Sequence, residues 1–261
     1  MEQKLHTPEG GRDIYNKEWE TKLALQRKLS KVLHLYGYQD IQTPTFEYYE
    51  VFRKEIGSTS TQELYKFFDR EGNILALRPD ITPSVARAAA TLFESEDMPI
   101  RLCYAGNTFI NHSSYQGRLK ENTQLGAELI GLDSVEADAE MLAMVADSLK
   151  QIGLQEFQIS LGHVDFIRSL LKAAGLGEEE SREIRALITN RNFFGIEEIL
   201  DAHEVKESVR EAFRLLPELT GGPEVLEQAM SAAPDLDAKL AVTRLQQIFR
   251  LLRLYGADDH I

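Results

Sequence analysis

Between Asn16 and Tyr36 apolar residues recur mostly at three- and four-residue intervals, at Trp19, Leu23, Leu25, Leu29, Val32, Leu33 and Tyr36. That is the period of one helix face, and Gly37 supplies a C-terminal stop. "YQDIQTP" then reads as a strand ending at Pro44, whose missing N–H suits a strand end or sheet edge. "LYKFFDREGNILALRPD" predicts a hairpin, with arms Tyr65 to Asp69 and Ile74 to Leu77 around the turn-forming "REGN". A helix follows from about Pro83 to Phe93, with the proline in its first turn, where the absent donor costs nothing.

"IRLCYAGNTF" and "NTQLGAELIGL" predict two long strands, the first ending near Phe109 and the second running from about Asn122 to Leu132. A polar loop joins them. The stretch 134–154 predicts a helix with Met141, Met144, Val145 and Leu149 on its apolar face, and "FQISLGHV" predicts one further strand. Beyond residue 164 the pattern is helical nearly to the end, with breaks at Gly175, "NRNFFG", Pro217, "GGP" and Pro234. "EEE" at 178–180 reads as a helix start favoured by the helix dipole. This order predicts an α+β fold, a mainly antiparallel sheet flanked by helices and followed by a C-terminal helical segment. The division it suggests is a core over residues 1–165 and a mostly helical appendage over 166–261.

Charge changes the picture. With 29 basic and 42 acidic residues the net charge is −13, which argues against a general nucleic-acid binder, since that affinity rests on cations neutralising phosphates. The single cysteine, Cys103, sits in an apolar run and is expected to be a buried thiol; the chain can make no internal disulfide, which suits a reducing compartment. No apolar run reaches the ~18 residues of a membrane span, and "MEQKLHTPEGGRD" is too polar for a signal peptide, so the expectation is cytoplasmic. The six histidines show no spacing that suggests a metal site, and no cofactor motif is present.

The second long strand carries the candidate chemistry. Alternation puts Gln124, Gly126 and Glu128 on one face, and Thr123, Leu125, Ala127 and Leu129 on the other. An amide and a carboxylate with a glycine between them suit a small ligand close to the sheet floor, and the carboxylate suits an α-ammonium group. In "LRPDIT", Asp80 can accept from the same ammonium and Thr82 can donate to or accept from the ligand. Helix capping remains open for Asp80 and Thr82, and a solvated strand face for Gln124 and Glu128.

"TPEGGRD", "YGYQDIQTPTFE", "LRPDIT", "GNTF…GRLKENTQLGAELIG" and "EADAEM", in this order, resemble the class II histidyl-tRNA synthetase catalytic domain over about residues 7 to 165. The resemblance implies that Asp80, Thr82, Gln124 and Glu128 match positions that hold the histidine substrate, Asp80 standing for a glutamate. It equates residues 106–132 with motif 2, whose F-R-x-E arginine grips the ATP α-phosphate. Here that run is "FINH", with Ile110 for the arginine and His112 for the glutamate; Lys120 and Asn122 replace a second arginine and an adenine-stacking phenylalanine. Without a bidentate phosphate partner, adenylate formation is not expected.

An amino-acid pocket without ATP handling resembles the synthetase paralogues that serve as regulatory subunits of ATP phosphoribosyltransferase. That resemblance implies a noncatalytic role in the first step of L-histidine biosynthesis. It implies a short-form catalytic subunit as partner in a hetero-octamer, L-histidine as effector in feedback inhibition, and a homodimer through residues 16–52. The chain is expected to stop before the family's motif 3. A synthetase-like ligase with an altered ATP site and an assembly scaffold with a vestigial pocket are the competing readings.

Overall fold

The computed structural model describes residues 6–53, 60–95, 97–112 and 117–261. Its contacts divide the chain into two units, one of residues 1–133 and 147–154, the other of 134–146 and 155–261.

In the first unit, α1 (Asn16–Leu35) ends where Gly37 takes a positive φ of 84°, as its sequence predicts. Only Val32 and Leu33 of its apolar stripe are fully buried, and Trp19 is half exposed. The short strands β1 (Gln39–Asp40) and β2 (Phe46–Tyr48) follow. The strand predicted up to Pro44 therefore shrinks to two residues. The carbonyls of Thr43 and Pro44 accept from the Arg78 guanidinium at 2.9 and 3.2 Å instead of from a neighbouring strand.

The predicted hairpin forms as β3 (Lys66–Phe68) and β4 (Ile74–Leu77), and β2 pairs on the other edge of β4 to give an antiparallel sheet in the order β2-β4-β3. Helix α2 (Thr82–Leu92) leads into β5 (Ile100–Phe109) and β6 (Glu121–Ile130), an uninterrupted antiparallel pair from Ile100↔Ile130 to Phe109↔Glu121. β1 joins β5 in parallel, with Asp40 opposite Cys103. Ile81, just before α2, and Val85 within it pack on Ile100, Leu102 and Tyr104, so α2 covers part of one sheet face.

Helix α3 (Val135–Ile152) contributes residues to both units. Its buried residues are Ala137, Ala139, Ala143, Met144 and Ala146; Val145, expected on the apolar face, is exposed, because small alanines rather than large side chains mark the packed stripe.

The second unit continues with α4 (Val164–Ala174), α5 (Glu178–Thr189), α6 (Phe193–Asp201), α7 (Glu207–Leu215), α8 (Val225–Ala232) and α9 (Leu236–Tyr255). Leu170, Ile184, Ile196, Leu200, Phe213 and Val242 are fully buried in one cluster. Asn192 and Asp235 cap α6 and α9 through the N–H groups of Gly195 and Ala238, and Gly175 and Gly256 end α4 and α9 in the left-handed conformation.

The strand predicted at "FQISLGHV" does not form. Phe157, Ile159 and Leu161 do alternate inward, and pack against Ala143, Ile248 and Leu252. A strand also needs a hydrogen-bonded ladder, and among the described residues this stretch shows one backbone–backbone bond to another segment, the Ile159 N–H donating to the His260 carbonyl at 2.7 Å.

Candidate functional site

The site lies on the β5–β6 face that meets the start of α2, all within the first unit. Cross-strand register sets Gly106 opposite Gln124, Tyr104 opposite Gly126 and Leu102 opposite Glu128. Gln124 reaches the strand-to-helix turn with both ends of its amide. Its Nε2 donates to Asp80 Oδ1 at 2.9 Å, and its Oε1 accepts from the Ile81 N–H at 3.0 Å. The same Asp80 oxygen accepts from the Thr82 N–H at 3.1 Å. Asp80 thus supplies a helix-start contact as well, and the capping alternative and the shared cluster coexist.

Glu128 forms the second half. Its Oε1 accepts from Thr82 Oγ1 at 2.7 Å and from the Tyr104 hydroxyl at 3.1 Å, while those two hydroxyls lie 3.3 Å apart. The four residues singled out in sequence are therefore joined in one network, and Tyr104 is the member that sequence reasoning missed. Burial pushes the Tyr104 phenol well above its usual range; a bond from Thr82 opposes this, and the Glu128 charge adds to it. The phenol stays a neutral donor. Asp80 Oδ2 and Glu128 Oε2 carry no hydrogen bond among the described residues, so each carboxylate keeps one oxygen available. Asp80, Thr82, Gln124 and Glu128 are all only half-buried, so the network faces an approachable space. Two half-buried carboxylates with free oxygens, an amide and a hydroxyl suit a small cationic or amino-bearing ligand.

Gly126 explains how the floor is shaped. A Cβ there would lie 2.5 Å from the Tyr104 hydroxyl oxygen and 2.6 Å from Cζ, so the absent side chain is what lets the ring cross the neighbouring strand. Gly106 does the same for Arg78, whose guanidinium crowds the position a Cβ would take. Arg78 is buried and donates to the carbonyls of Thr43, Pro44 and Asn107, tying the loop before β2 to β5. Burial lowers its pKa, and the Glu47 charge opposes the shift. Sequence reasoning passed over Arg78 as well.

At the far end of the same hairpin the chemistry differs. The Ile110 N–H donates to the Lys120 carbonyl at 2.9 Å, and the Lys120 N–H donates to the Gly10 carbonyl at 2.7 Å. The Lys120 stem packs where a Gly10 side chain would stand. His112 Nδ1 lies 3.1 Å from Glu63 Oε1, and the Asn111 N–H donates to the Glu63 carbonyl. Asn122 is bonded to the Leu119 carbonyl, and Arg118 is exposed. Residues 113–116 of the loop lie outside the described residues.

Among the described residues no helix is long and apolar enough to cross a membrane. The sequence profile of the histidyl-tRNA synthetase family matches residues 10–261. The chain is 37% identical over 260 residues to an ATP phosphoribosyltransferase regulatory subunit of Acetivibrio thermocellus, covering 100% of this chain and 62% of that protein. It is 40% identical over 253 residues to a protein of the same name from Desulforamulus reducens, covering 97% and 62%. It spans about three fifths of the length of these curated relatives. A crystal structure from Bacillus halodurans, described as an ATP phosphoribosyltransferase regulatory subunit/histidyl-tRNA synthetase, superposes with a TM-score of 0.90 at 30% identity, covering 98% of this chain and 67% of that one. The chain belongs to the histidyl-tRNA synthetase family, among relatives that carry the regulatory-subunit name.

Proposed function

We propose that this protein is a noncatalytic regulatory subunit of ATP phosphoribosyltransferase, and that Asp80, Thr82, Gln124 and Glu128 bind L-histidine as its feedback effector. The observation that carries the reading is a contrast within one hairpin. Near α2, the β5–β6 pair holds a complete polar network with two free carboxylate oxygens, which suits an α-ammonium group. Toward its tip, Ile110 brings no charge, and the neighbouring polar pair is His112 with the Glu63 carboxylate. A nucleotide α-phosphate finds no arginine at Ile110, so amino-acid activation loses the charge stabilisation it needs.

Regulation requires a partner, and the relatives' name supports a catalytic phosphoribosyltransferase subunit. The proposal takes that subunit to be of the short form and the assembly to be a hetero-octamer. The reading also includes a homodimer through residues 16–52, a cytoplasmic location and no nucleic-acid or membrane partner. Phe46 and Tyr48 on β2 are half exposed beside Phe67 on the same sheet, with the Phe46 and Phe67 rings 5.9 Å apart edge-to-face. That aromatic surface supports an isologous contact.

The test is reconstitution with a short-form catalytic subunit. Histidine is expected to inhibit the assembled enzyme, and Glu128→Lys to abolish inhibition while leaving assembly intact. Inhibition unchanged by Glu128→Lys contradicts the pocket, and robust histidine-dependent ATP–pyrophosphate exchange by the protein alone contradicts the noncatalytic role.

A further inference from the structure

On the sheet face opposite Tyr104, three side chains from three elements converge: His34 from the last turn of α1, Asp40 from β1 and Cys103 from β5. Strand alternation points Cys103 away from the amino-acid site, so this cluster stands apart from the histidine reading. His34 Nε2 lies 3.0 Å from Asp40 Oδ2, and Cys103 Sγ lies 3.5 Å from Asp40 Oδ1. All three donor atoms fall within 4.8 Å of one another. Ligands held about 2.0–2.3 Å from a tetrahedral ion stand roughly 3.3–3.8 Å apart, so small side-chain adjustments bring these atoms onto three corners of such a site.

We propose that His34, Asp40 and Cys103 form a binding site for one zinc ion, with water as the fourth ligand. One imidazole, one carboxylate and one sulfur suit zinc and exclude the hard, oxygen-seeking calcium and magnesium ions. Entry is open: the side chains of His34 and Asp40 are 46% and 72% exposed, whereas Cys103 lies beneath them at 1%. The C-terminal end of α1 adds its negative partial charge to the site. Burial, followed by the hydrogen bond and charge of Asp40, pushes the Cys103 thiol up to about 11, so zinc takes the sulfur by displacing a proton to solvent. The ion then joins α1 to a strand that is only two residues long, and holds β1 against β5 where its own ladder is short.

The test is optical titration of chelator-treated protein with cobalt(II), followed by zinc. One equivalent is expected to produce a thiolate-to-cobalt charge-transfer band that zinc abolishes. Cys103→Ser should remove the band. His34→Gln, at an exposed position that leaves the fold intact, should weaken cobalt and zinc binding at least tenfold. A missing band at millimolar cobalt, a band that survives Cys103→Ser, or wild-type affinity in His34→Gln overturns the proposal.

Discussion

Gly126→Ala tests whether the site floor is set by the close passage of Tyr104 over β6. The added methyl carbon stands 2.5, 2.6 and 2.9 Å from the hydroxyl oxygen, Cζ and Cε2 of that ring. Carbon atoms at rest lie about 3.5–4.0 Å apart, so the ring must retreat by roughly 1 Å. It has little room, since Tyr104 is 7% exposed and packed with Ile81, Val85, Ile100 and Leu102. Overpacking of this kind costs roughly 1–3 kcal/mol. Retreat also breaks the 3.1 Å bond to Glu128, and a hydrogen bond to a charged group contributes about 1.5–3 kcal/mol. A loss of roughly 3 kcal/mol is therefore expected, with partial overlap of the two effects. Urea unfolding followed by Trp19 fluorescence reads it directly, because this only tryptophan of the 261 residues lies on α1 in the same unit. The midpoint should fall with little change in slope. Gly162→Ala is the control, with nothing within 4 Å of its new methyl group and an expected effect near zero. A loss below about 0.5 kcal/mol in Gly126→Ala, the range of neutral surface changes, refutes the reasoning.

Arg78→Met should cost roughly 3–5 kcal/mol, because it strips donors from the carbonyls of Thr43, Pro44 and Asn107, and Arg78→Lys should recover only part, since an ammonium cannot span all three; urea midpoints check both. Arg87→Met leaves the 8%-exposed Glu47 carboxylate without the guanidinium it now holds at 2.8 Å, and should destabilise by roughly 3 kcal/mol, read from the urea midpoint. In metal-free protein the Cys103 thiol is held near 11 against an ordinary value of 9.0, so the folded state keeps its proton where the unfolded state loses it. Stability relative to Cys103→Ala should therefore be constant below about pH 8 and fall by roughly 3 kcal/mol as pH rises through 11, measured by denaturation at each pH.

Period-two alternation was enough to place Gln124, Gly126 and Glu128 together, because successive side chains of a strand point to opposite faces and the β5–β6 ladder runs without a bulge. The "LRPDIT" turn could be read as chemistry or as a cap, and the same Asp80 oxygen accepts from the Thr82 N–H at the helix start and from Gln124 Nε2 across the sheet. Tyr104 was hidden by its 24-residue separation from Glu128; the available signal was a strand glycine, which marks a close approach without naming the partner. Arg78 was hidden because an arginine is ordinarily exposed, and only the folded loop supplies three carbonyls to bury it. The strand expected at 157–164 shows the limit of alternation, which reports facing but not pairing. The His34–Asp40–Cys103 cluster is invisible to spacing, since three elements bring it together.

Calorimetric titration of L-histidine into the purified protein, with and without ATP, tests the central claim most directly. Saturable binding of equal affinity in both titrations, lost in Glu128→Lys, is the predicted result. Absence of binding, or binding that depends on ATP, contradicts an amino-acid sensor built on Asp80, Thr82, Gln124 and Glu128.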